Sequence, residues 1–283
     1  MKQTLRLFFF ILFLSGTINS FSQSAGKLFS QGKDAAKDGK TDEAIALFTK
    51  ALELKPKDDE VMIERGKAYE TKKELEKAIA DYDNALNIKK DEKLYLKAAA
   101  LKISIGKWPQ ALFDVDRVLE DDKDNIEAFE QKAWCLINTK KFADALATCD
   151  AALAKNQYNH RLHYLKGMSK DSLKDYAVAV TEYQRAVTIM NGLTEKNQPM
   201  FKPYYTNLAM AQTKAKMYDD VIKNYTTAVK IDVKDSILPQ NYRVYYYRSF
   251  PHFLKNDFGP ATDDLDKALS MNARIKSAFT NVL

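Results

Sequence analysis

The sequence predicts an all-α protein built from seven tandem helix-turn-helix repeats, and three observations support this fold class. Residues 42–56 carry apolar side chains at helical spacing, with Pro56 just past the end of the pattern. Stretches with the same pattern recur six more times along the chain, and a further helical segment precedes each of them. A single amphipathic helix cannot bury its own apolar stripe. The repeated copies must therefore stack on one another.

The repeat period is close to 34 residues. An early small residue in each second helix defines the register: Ala44, Ala78, Ala111, Ala145, Ala179, Val221 and Ala261. The steps between these positions are 34, 33, 34, 34, 42 and 40 residues. This spacing predicts repeats over residues 25–58, 59–91, 92–125, 126–159, 160–193, 202–235 and 242–274, with residues 275–283 as a C-terminal cap.

Small side chains also recur at fixed places within each repeat, with a bulky position between two small ones in the second helix. The small first-helix positions are Gly32, Gly66, Ala99, Ala133, Gly167, Ala209 and Ser249. The later small second-helix positions are Ala51, Ala85, Val118, Ala152, Ala186, Ala228 and Ala268. The bulky positions are Phe48, Tyr82, Val115, Cys149, Tyr183, Tyr225 and Leu265. Because helices approach within about 8–10 Å only over small residues, these positions predict the helix crossings.

A 34-residue helix-turn-helix period with small residues at the crossings resembles the tetratricopeptide repeat, and the resemblance covers about residues 24–274. It implies an all-α, right-handed superhelical solenoid. It also implies that the first helices line a concave groove, which holds an extended peptide or a helix of a partner protein.

The candidate groove residues lie one step off the packing face of the first helices. They are Phe29 together with Ile63, Leu96, Ile103, Trp134, Ile137, Tyr164, Met168, Met210, Tyr246 and Phe250. Such a set is too apolar for a face open to water, and Trp and Tyr are frequent anchors at interfaces. The alternative is that some of these side chains pack between neighbouring repeats.

Residues 1–22 are typical of a secretory signal peptide. Lys2 and Arg6 give a positive start, residues 7–14 are apolar, and small residues precede a cleavage point ahead of Gln23. The eight apolar residues fall short of the roughly 20 that cross a bilayer. We therefore expect an extracytoplasmic protein, periplasmic or secreted, with no membrane span after cleavage.

Charge and motif content argue against several functions. The formal net charge is +6, and lysine and glutamate alternate throughout, so we expect no nucleic-acid binding. No glycine-rich phosphate loop, nucleophile elbow or zinc-protease helix occurs in the sequence. We expect neither an enzyme nor a cofactor.

Two histidines and several aspartates could suggest a metal site. His163, three residues after His160, falls at a bulky packing position, so packing accounts for it. The D-x-D pairs that begin at Asp81, Asp114 and Asp264 lack the glycine and the closing glutamate of a calcium loop. We expect no metal, and we interpret these aspartates as a solvated helix face.

Some local features leave alternatives open. Cys135 and Cys149 belong to one repeat and either form a disulfide in an oxidising compartment or remain buried thiols. The insertions around residues 191–202 and 233–241 are either tolerated loop growth or contacts for a partner. Gly39, Gly106 and Gly259 are expected in the turns between the two helices of a repeat. Pro251 is expected to kink its helix or end it early.

The resulting functional hypothesis is a secreted or periplasmic protein-interaction module. Its concave groove would bind a protein or peptide whose identity the sequence does not give. The alternative is a permanent structural or assembly subunit of a cell-envelope complex.

Overall fold

The computed structural model describes residues 24–192, 202–230 and 242–271, and this part of the chain forms fourteen helices. They are α1 (24–37), α2 (Thr41–Leu54), α3 (Asp59–Thr71), α4 (Leu75–Ile88), α5 (Glu92–Ser104), α6 (Trp108–Asp121), α7 (Ile126–Asn138), α8 (Phe142–Leu153), α9 (His160–Ser172), α10 (Tyr176–Asn191), α11 (Lys202–Lys214), α12 (Tyr218–Lys230), α13 (Tyr242–Leu254) and α14 (Phe258–Met271). The predicted signal peptide, most of both insertions and the predicted C-terminal cap lie outside the described residues.

Odd-numbered helices are the first helices of the repeats, and even-numbered helices are the second helices. Turns of three residues join the two helices of every pair, from residues 38–40 in the first pair to residues 255–257 in the last. Connections this short place the paired helices antiparallel. The all-α tandem-repeat fold predicted from the sequence is therefore confirmed. Within the described residues, no helix combines the length and apolar character that crossing a membrane requires.

The chain divides into two compact units, residues 1–128 and residues 129–283, here called the first unit and the second unit. The core of the first unit includes Phe48 and Tyr82 among the alanines of α2 and α4. The core of the second unit includes Tyr183 and Tyr225 among the alanines of α10 to α12. In both units, aromatic rings fill the space that small neighbours leave.

The predicted small positions are buried, and two glycines show why small residues are needed there. A Cβ atom on Gly66 would lie 2.6 Å from the ring of Tyr82, and one on Gly167 would lie 2.6 Å from the ring of Tyr183. Both rings are almost completely buried. Any larger residue at these glycines must displace a packed aromatic ring.

Every turn between the two helices of a repeat contains one residue with a left-handed backbone. These residues have φ between 60° and 77°: Gly39, Lys73, Gly106, Lys140, Lys174, Lys216 and Asn256. The expectation for Gly39 and Gly106 is thus correct, but Gly259 lies inside α14 and Asn256 takes the turn position instead. Four lysines adopt a conformation that only glycine adopts without strain.

We expect Lys73→Gly to raise the free energy of unfolding by about 0.5–1 kcal/mol, because it removes the left-handed strain. Lys73→Ala, which removes the charge and keeps the strain, should leave the unfolding free energy unchanged. Urea titration of both variants, followed by circular dichroism, tests this. Equal stability of the two variants would show that the backbone at residue 73 is not strained.

The interpretation of the D-x-D aspartates as a solvated helix face was wrong for the first aspartate of each pair. Asp81, Asp114 and Asp264 are 3%, 2% and 4% exposed, whereas Asp116 and Asp266 are exposed to solvent. Each buried aspartate lies three residues after the small residue that defines the repeat register. At this position the second helix faces its own first helix rather than water.

The buried aspartates pair with cations that also reach the preceding repeat. Arg65 donates from Nε and Nη2 to the carboxylate of Asp81, at 2.8 and 2.7 Å, and from Nη1 to Thr49 of the preceding repeat at 3.1 Å. Lys102 likewise joins Asp114, at 2.6 Å, to Asp83 of the preceding repeat, at 2.7 Å. One buried cation in each case ties two repeats together. We call this arrangement the polar bridge.

The same polar bridge occurs in the second unit. Arg248 donates to Asp264 at 2.8 and 2.6 Å and to Thr226 of the preceding repeat at 3.0 Å. This reproduces the Arg65 geometry near the other end of the described chain. The recurrence indicates that the bridge belongs to the repeat itself.

The expectation that Pro251 would kink or shorten its helix is not supported. Helix α13 has 13 residues, as α11 does, and continues past Pro251 to Leu254. Pro251 is buried. The backbone N–H that proline lacks does not end the helix three residues from its C-terminus.

Candidate functional site

The second unit carries a large apolar side chain at one repeated position of its first helices, directly after the small position. The residues are Trp134 on α7, Met168 on α9, Met210 on α11 and Phe250 on α13. We call this set the first-helix stripe. The same position in the first unit holds Lys33, Lys67 and Ala100, all exposed.

The stripe residues are supported by the core and still reach solvent. Trp134, Met168 and Met210 are half-buried, and Phe250 is 43% exposed. Met168 and Met210 pack against the buried cluster of the second unit. The first helices α9, α11 and α13 also contact one another in sequence. The stripe therefore runs from repeat to repeat on a firmly packed base.

Tyr164 lies one turn before Met168 and is held in a defined orientation. Its ring stacks on that of Tyr204, with 4.2 Å between the ring centroids, and its hydroxyl accepts a hydrogen bond of 2.7 Å from Nδ2 of Asn207. Burial raises the pKa of Tyr164 to about 12, so the phenol is neutral at physiological pH. The side chain is a rigid, half-buried aromatic surface beside the stripe.

The last repeat extends the apolar surface with further aromatic rings. Tyr246 meets Phe250 edge to face at 5.0 Å and Tyr247 at 5.4 Å between centroids. Phe253, one turn beyond Phe250, is 60% exposed. The aromatic character predicted for α13 is thus partly presented to solvent.

The family assignment comes from a family model. The model for the tetratricopeptide repeat matches residues 29–92, 96–160 and 136–193, which together make up more than half of the chain. The chain belongs to the tetratricopeptide repeat family.

Curated relatives of this tetratricopeptide protein are distant and longer than it. The Hsp70-Hsp90 organizing protein of Triticum aestivum is 25% identical over 236 residues, covering 77% of this chain and 36% of the relative. RNA polymerase II-associated protein 3 of Homo sapiens is 25% identical over 221 residues, covering 78% of this chain and 29% of the relative. The chain thus spans about a third of the length of these relatives.

Solved tetratricopeptide structures share the fold at low identity. A tetratricopeptide repeat protein from Parabacteroides merdae superposes with a TM-score of 0.64 at 16% identity, covering 88% of this chain and 94% of the other. YrrB, a tetratricopeptide protein with an unusual peptide-binding site, gives a TM-score of 0.55 at 20% identity, covering 71% of this chain and 98% of YrrB.

The remaining predicted groove residues of this tetratricopeptide protein differ in exposure. Leu96 and Ile137 are each 8% exposed, so they offer a partner little surface. Ile63 and Ile103 are half-buried, and Ile63 packs against the core of the first unit. The most accessible part of the predicted set is the stripe with its flanking tyrosines.

His163 has the packing role expected from its bulky position, within a polar cluster. Its Nδ1 lies 2.7 Å from Oε2 of Glu182, and its Nε2 lies 3.0 Å from the carbonyl oxygen of Gln157. Lys166 joins Glu182, at 3.2 Å, to Asp150 of the preceding repeat, at 2.8 Å. Burial alone would raise the pKa of Glu182, but the His163 hydrogen bond and the Lys166 charge lower it overall. The cluster is another polar bridge.

Cys135 and Cys149 are free, fully buried thiols. Burial raises the pKa of each to about 12, which keeps both protonated and unreactive. Of the two open alternatives, the structure has the buried thiols. Among the described residues, no group of three or more His, Cys, Asp or Glu side chains could hold a metal ion.

Sequence reasoning missed an open cavity of about 880 Å³ on the second-helix side of the second unit. It lies among α8, α10 and α12, with Gln212 of α11 and Tyr158 of the turn before α9 in its lining. The second helices appeared in the sequence only as packing elements. Their repeat pattern does not show that a gap opens between them.

Proposed function

We propose that this protein is an extracytoplasmic interaction module, which binds an extended segment of a partner protein along the first-helix stripe. The observation that carries the proposal is the confinement of large, accessible apolar side chains at this position to four consecutive first helices. Exposed apolar surface on a soluble protein commonly marks a binding site. Signal-peptide character in residues 1–22 supports the extracytoplasmic location.

The chemistry of the stripe suits a peptide. Methionine is flexible and polarisable and adapts to different apolar partners, whereas tryptophan and tyrosine act as rigid anchors. The peptide-binding site of YrrB shows that a protein of the same fold can hold a peptide. The whole set favours an apolar ligand with modest affinity, in the micromolar range of about −8 kcal/mol.

The repeat spacing adds a prediction about the ligand. Stripe residues on neighbouring first helices are separated by about one helix-packing distance, on the order of 10 Å. A polyproline II segment rises about 3.1 Å per residue and returns to the same face every third residue, or about 9 Å. We therefore expect the bound segment to carry an apolar side chain at every third position.

A pair of synthetic peptides tests this. Both have twelve residues and the same composition, one with leucine at every third position and the other with leucine at every second. Fluorescence anisotropy should give a Kd in the micromolar range for the first peptide. The double variant Met168→Ser plus Met210→Ser should weaken this binding by at least tenfold.

The control removes exposed apolar side chains away from the stripe. Ile88 and Phe113 are 43% and 58% exposed in the first unit, and Ile88→Ser plus Phe113→Ser should bind the peptide as the wild type does. Circular dichroism verifies that both double variants are folded. Equal losses in the two variants, or equal binding of the two peptides, would refute the stripe as the binding surface.

A further inference from the structure

The cavity of the second unit lies where the polar bridge between two repeats is incomplete. Gln212 occupies the position of Lys102 in its repeat, three residues after the small residue. The group it faces on the second helix is Asn224 rather than an aspartate. The corresponding residue of the preceding repeat is Gln184, in place of Asp83. Neutral amides thus replace the buried ions of the other repeats.

The substitution leaves hydrogen-bonding capacity unused. Gln212 is only 2% exposed, and its Oε1 accepts a hydrogen bond of 2.8 Å from Nδ2 of Asn224. Its amide nitrogen Nε2, which carries two N–H donors, has no hydrogen-bond partner in the described ranges. A buried amide with unused donors is costly to desolvate, so a ligand that accepts from it would be favoured.

Most charged groups of the cavity, in contrast, are already paired. Lys166 is bound to Asp150 and Glu182, and Arg185 lies 3.4 Å from Glu182. Asp220, at the cavity edge, is the lining carboxylate without an ion pair in the described part of the chain. A ligand therefore meets mainly neutral groups.

The polar side chains still available in the cavity are glutamine amides and a phenol. Gln157 and Gln184 are exposed, and in the described ranges their side-chain amides make no hydrogen bond. Tyr158 is 72% exposed at the cavity edge. Each amide can donate and accept at the same time, which matches a pair of adjacent hydroxyl groups. Aliphatic parts of Val180 and Ile189 complete the lining.

We propose that this cavity binds a short, neutral oligosaccharide. Sugar hydroxyls both donate and accept, as the free glutamines do, and the C–H face of a sugar ring can pack on Tyr158 and on the aliphatic lining. The volume of about 880 Å³ lies within the range of small-ligand pockets and holds two to three sugar residues. The site is separate from the first-helix stripe, because it is built mainly from second helices.

Titration calorimetry of the full chain with a fixed panel of sugars tests the proposal. The panel is maltotriose, cellotriose and tri-N-acetylchitotriose, each up to 10 mM. We expect at least one of them to bind with a Kd of about 0.1–1 mM. Tyr158→Ala and Gln184→Ala change exposed side chains and should each weaken that binding by tenfold or more. Gln212→Leu should abolish it.

Controls separate the sugar site from the peptide site. Phe113→Ala removes an exposed ring outside the cavity and should leave sugar binding unchanged. Met168→Ser plus Met210→Ser should lose the peptide and keep the sugar. Absence of binding by all three sugars would overturn the proposal. Loss of peptide rather than sugar binding in Tyr158→Ala would overturn it too, since the cavity would then be a peptide site.

Discussion

Replacing Gly66 by leucine is expected to lower the free energy of unfolding by about 3 kcal/mol, at the upper end of the range for overpacked cores. A Cβ atom at residue 66 would lie 2.6 Å from Cε1 and 2.9 Å from Cδ1 of Tyr82. The ring cannot move aside easily, because it is completely buried and its hydroxyl donates a hydrogen bond to Glu70. Urea unfolding followed by circular dichroism measures the loss.

A graded series shows that the loss comes from the contact. Gly66→Ala should cost about 1 kcal/mol, because the better helix propensity of alanine offsets part of the clash. Gly26 also lies in a first helix but has open space around it, so Gly26→Leu should not destabilise the protein. An unfolding midpoint unchanged by Gly66→Leu would contradict the helix crossing at this residue.

A neighbouring repeat supplies the compensating change. The equivalent positions of the third repeat hold Ala99 and Val115, both completely buried. Gly66→Ala combined with Tyr82→Val reproduces that pair and should recover part of the stability that Gly66→Ala loses. Purely additive losses would mean that residues 66 and 82 do not share one packing space.

The fold could be predicted from the sequence because its main requirement is visible in single residues. Close helix crossings need Gly or Ala, and such residues recur with a nearly constant period from Gly32 to Ala268. Turn geometry is less visible. Gly39 and Gly106 reveal the left-handed position, whereas Lys73 and Lys174 hold the same backbone conformation without any compositional signal.

The polar interior could not be predicted for a different reason. An aspartate followed two residues later by another aspartate suggests solvent exposure, and only the cation on the partner helix shows that Asp81 or Asp114 is buried. That cation lies 16 residues before Asp81 but 12 residues before Asp114, at different positions of the first helix. Pairing through two alternative positions leaves no fixed motif.

The candidate site was predicted in outline only. The apolar first-helix positions identified Met168, Met210 and Phe250, but equal hydrophobicity did not separate them from Leu96 or Ile137, which are buried. The depth of each side chain depends on the size of residues in adjacent repeats. The second-helix cavity depends on the loss of an ion pair at Gln212, which becomes meaningful only once the pairs at Lys102 and Arg65 are known.

Replacing Asp81 by alanine is expected to destabilise the protein by about 3 kcal/mol. The carboxylate is 3% exposed and receives two hydrogen bonds from Arg65, so its removal leaves a largely buried guanidinium without its counter-ion. The remaining bond to Thr49 does not neutralise that charge. Urea unfolding provides the measurement, with Asp264→Ala as a second test of the same arrangement at Arg248.

The D-x-D pattern supplies a matched control. Asp266 follows Asp264 by two residues on α14 and is exposed, so Asp266→Ala should change the unfolding free energy by no more than about 0.5 kcal/mol. If Asp264→Ala and Asp266→Ala proved equally mild, the aspartates would be solvated and the polar bridge would not exist in solution.

Removing both partners of the bridge separates stability from register. Because burying two charges costs nearly as much as their attraction returns, Arg65→Met combined with Asp81→Leu should restore most of the stability that Asp81→Ala loses. The bridge therefore does not act mainly by adding stability. Arg65 meets Thr49 and Asp81 together only when the two repeats stack in one register, and an apolar pair imposes no such condition. The double variant should accordingly exchange amide hydrogens faster along α2 and α3 than the wild type at equal overall stability. Unchanged exchange there would leave the bridge without a role in aligning the repeats.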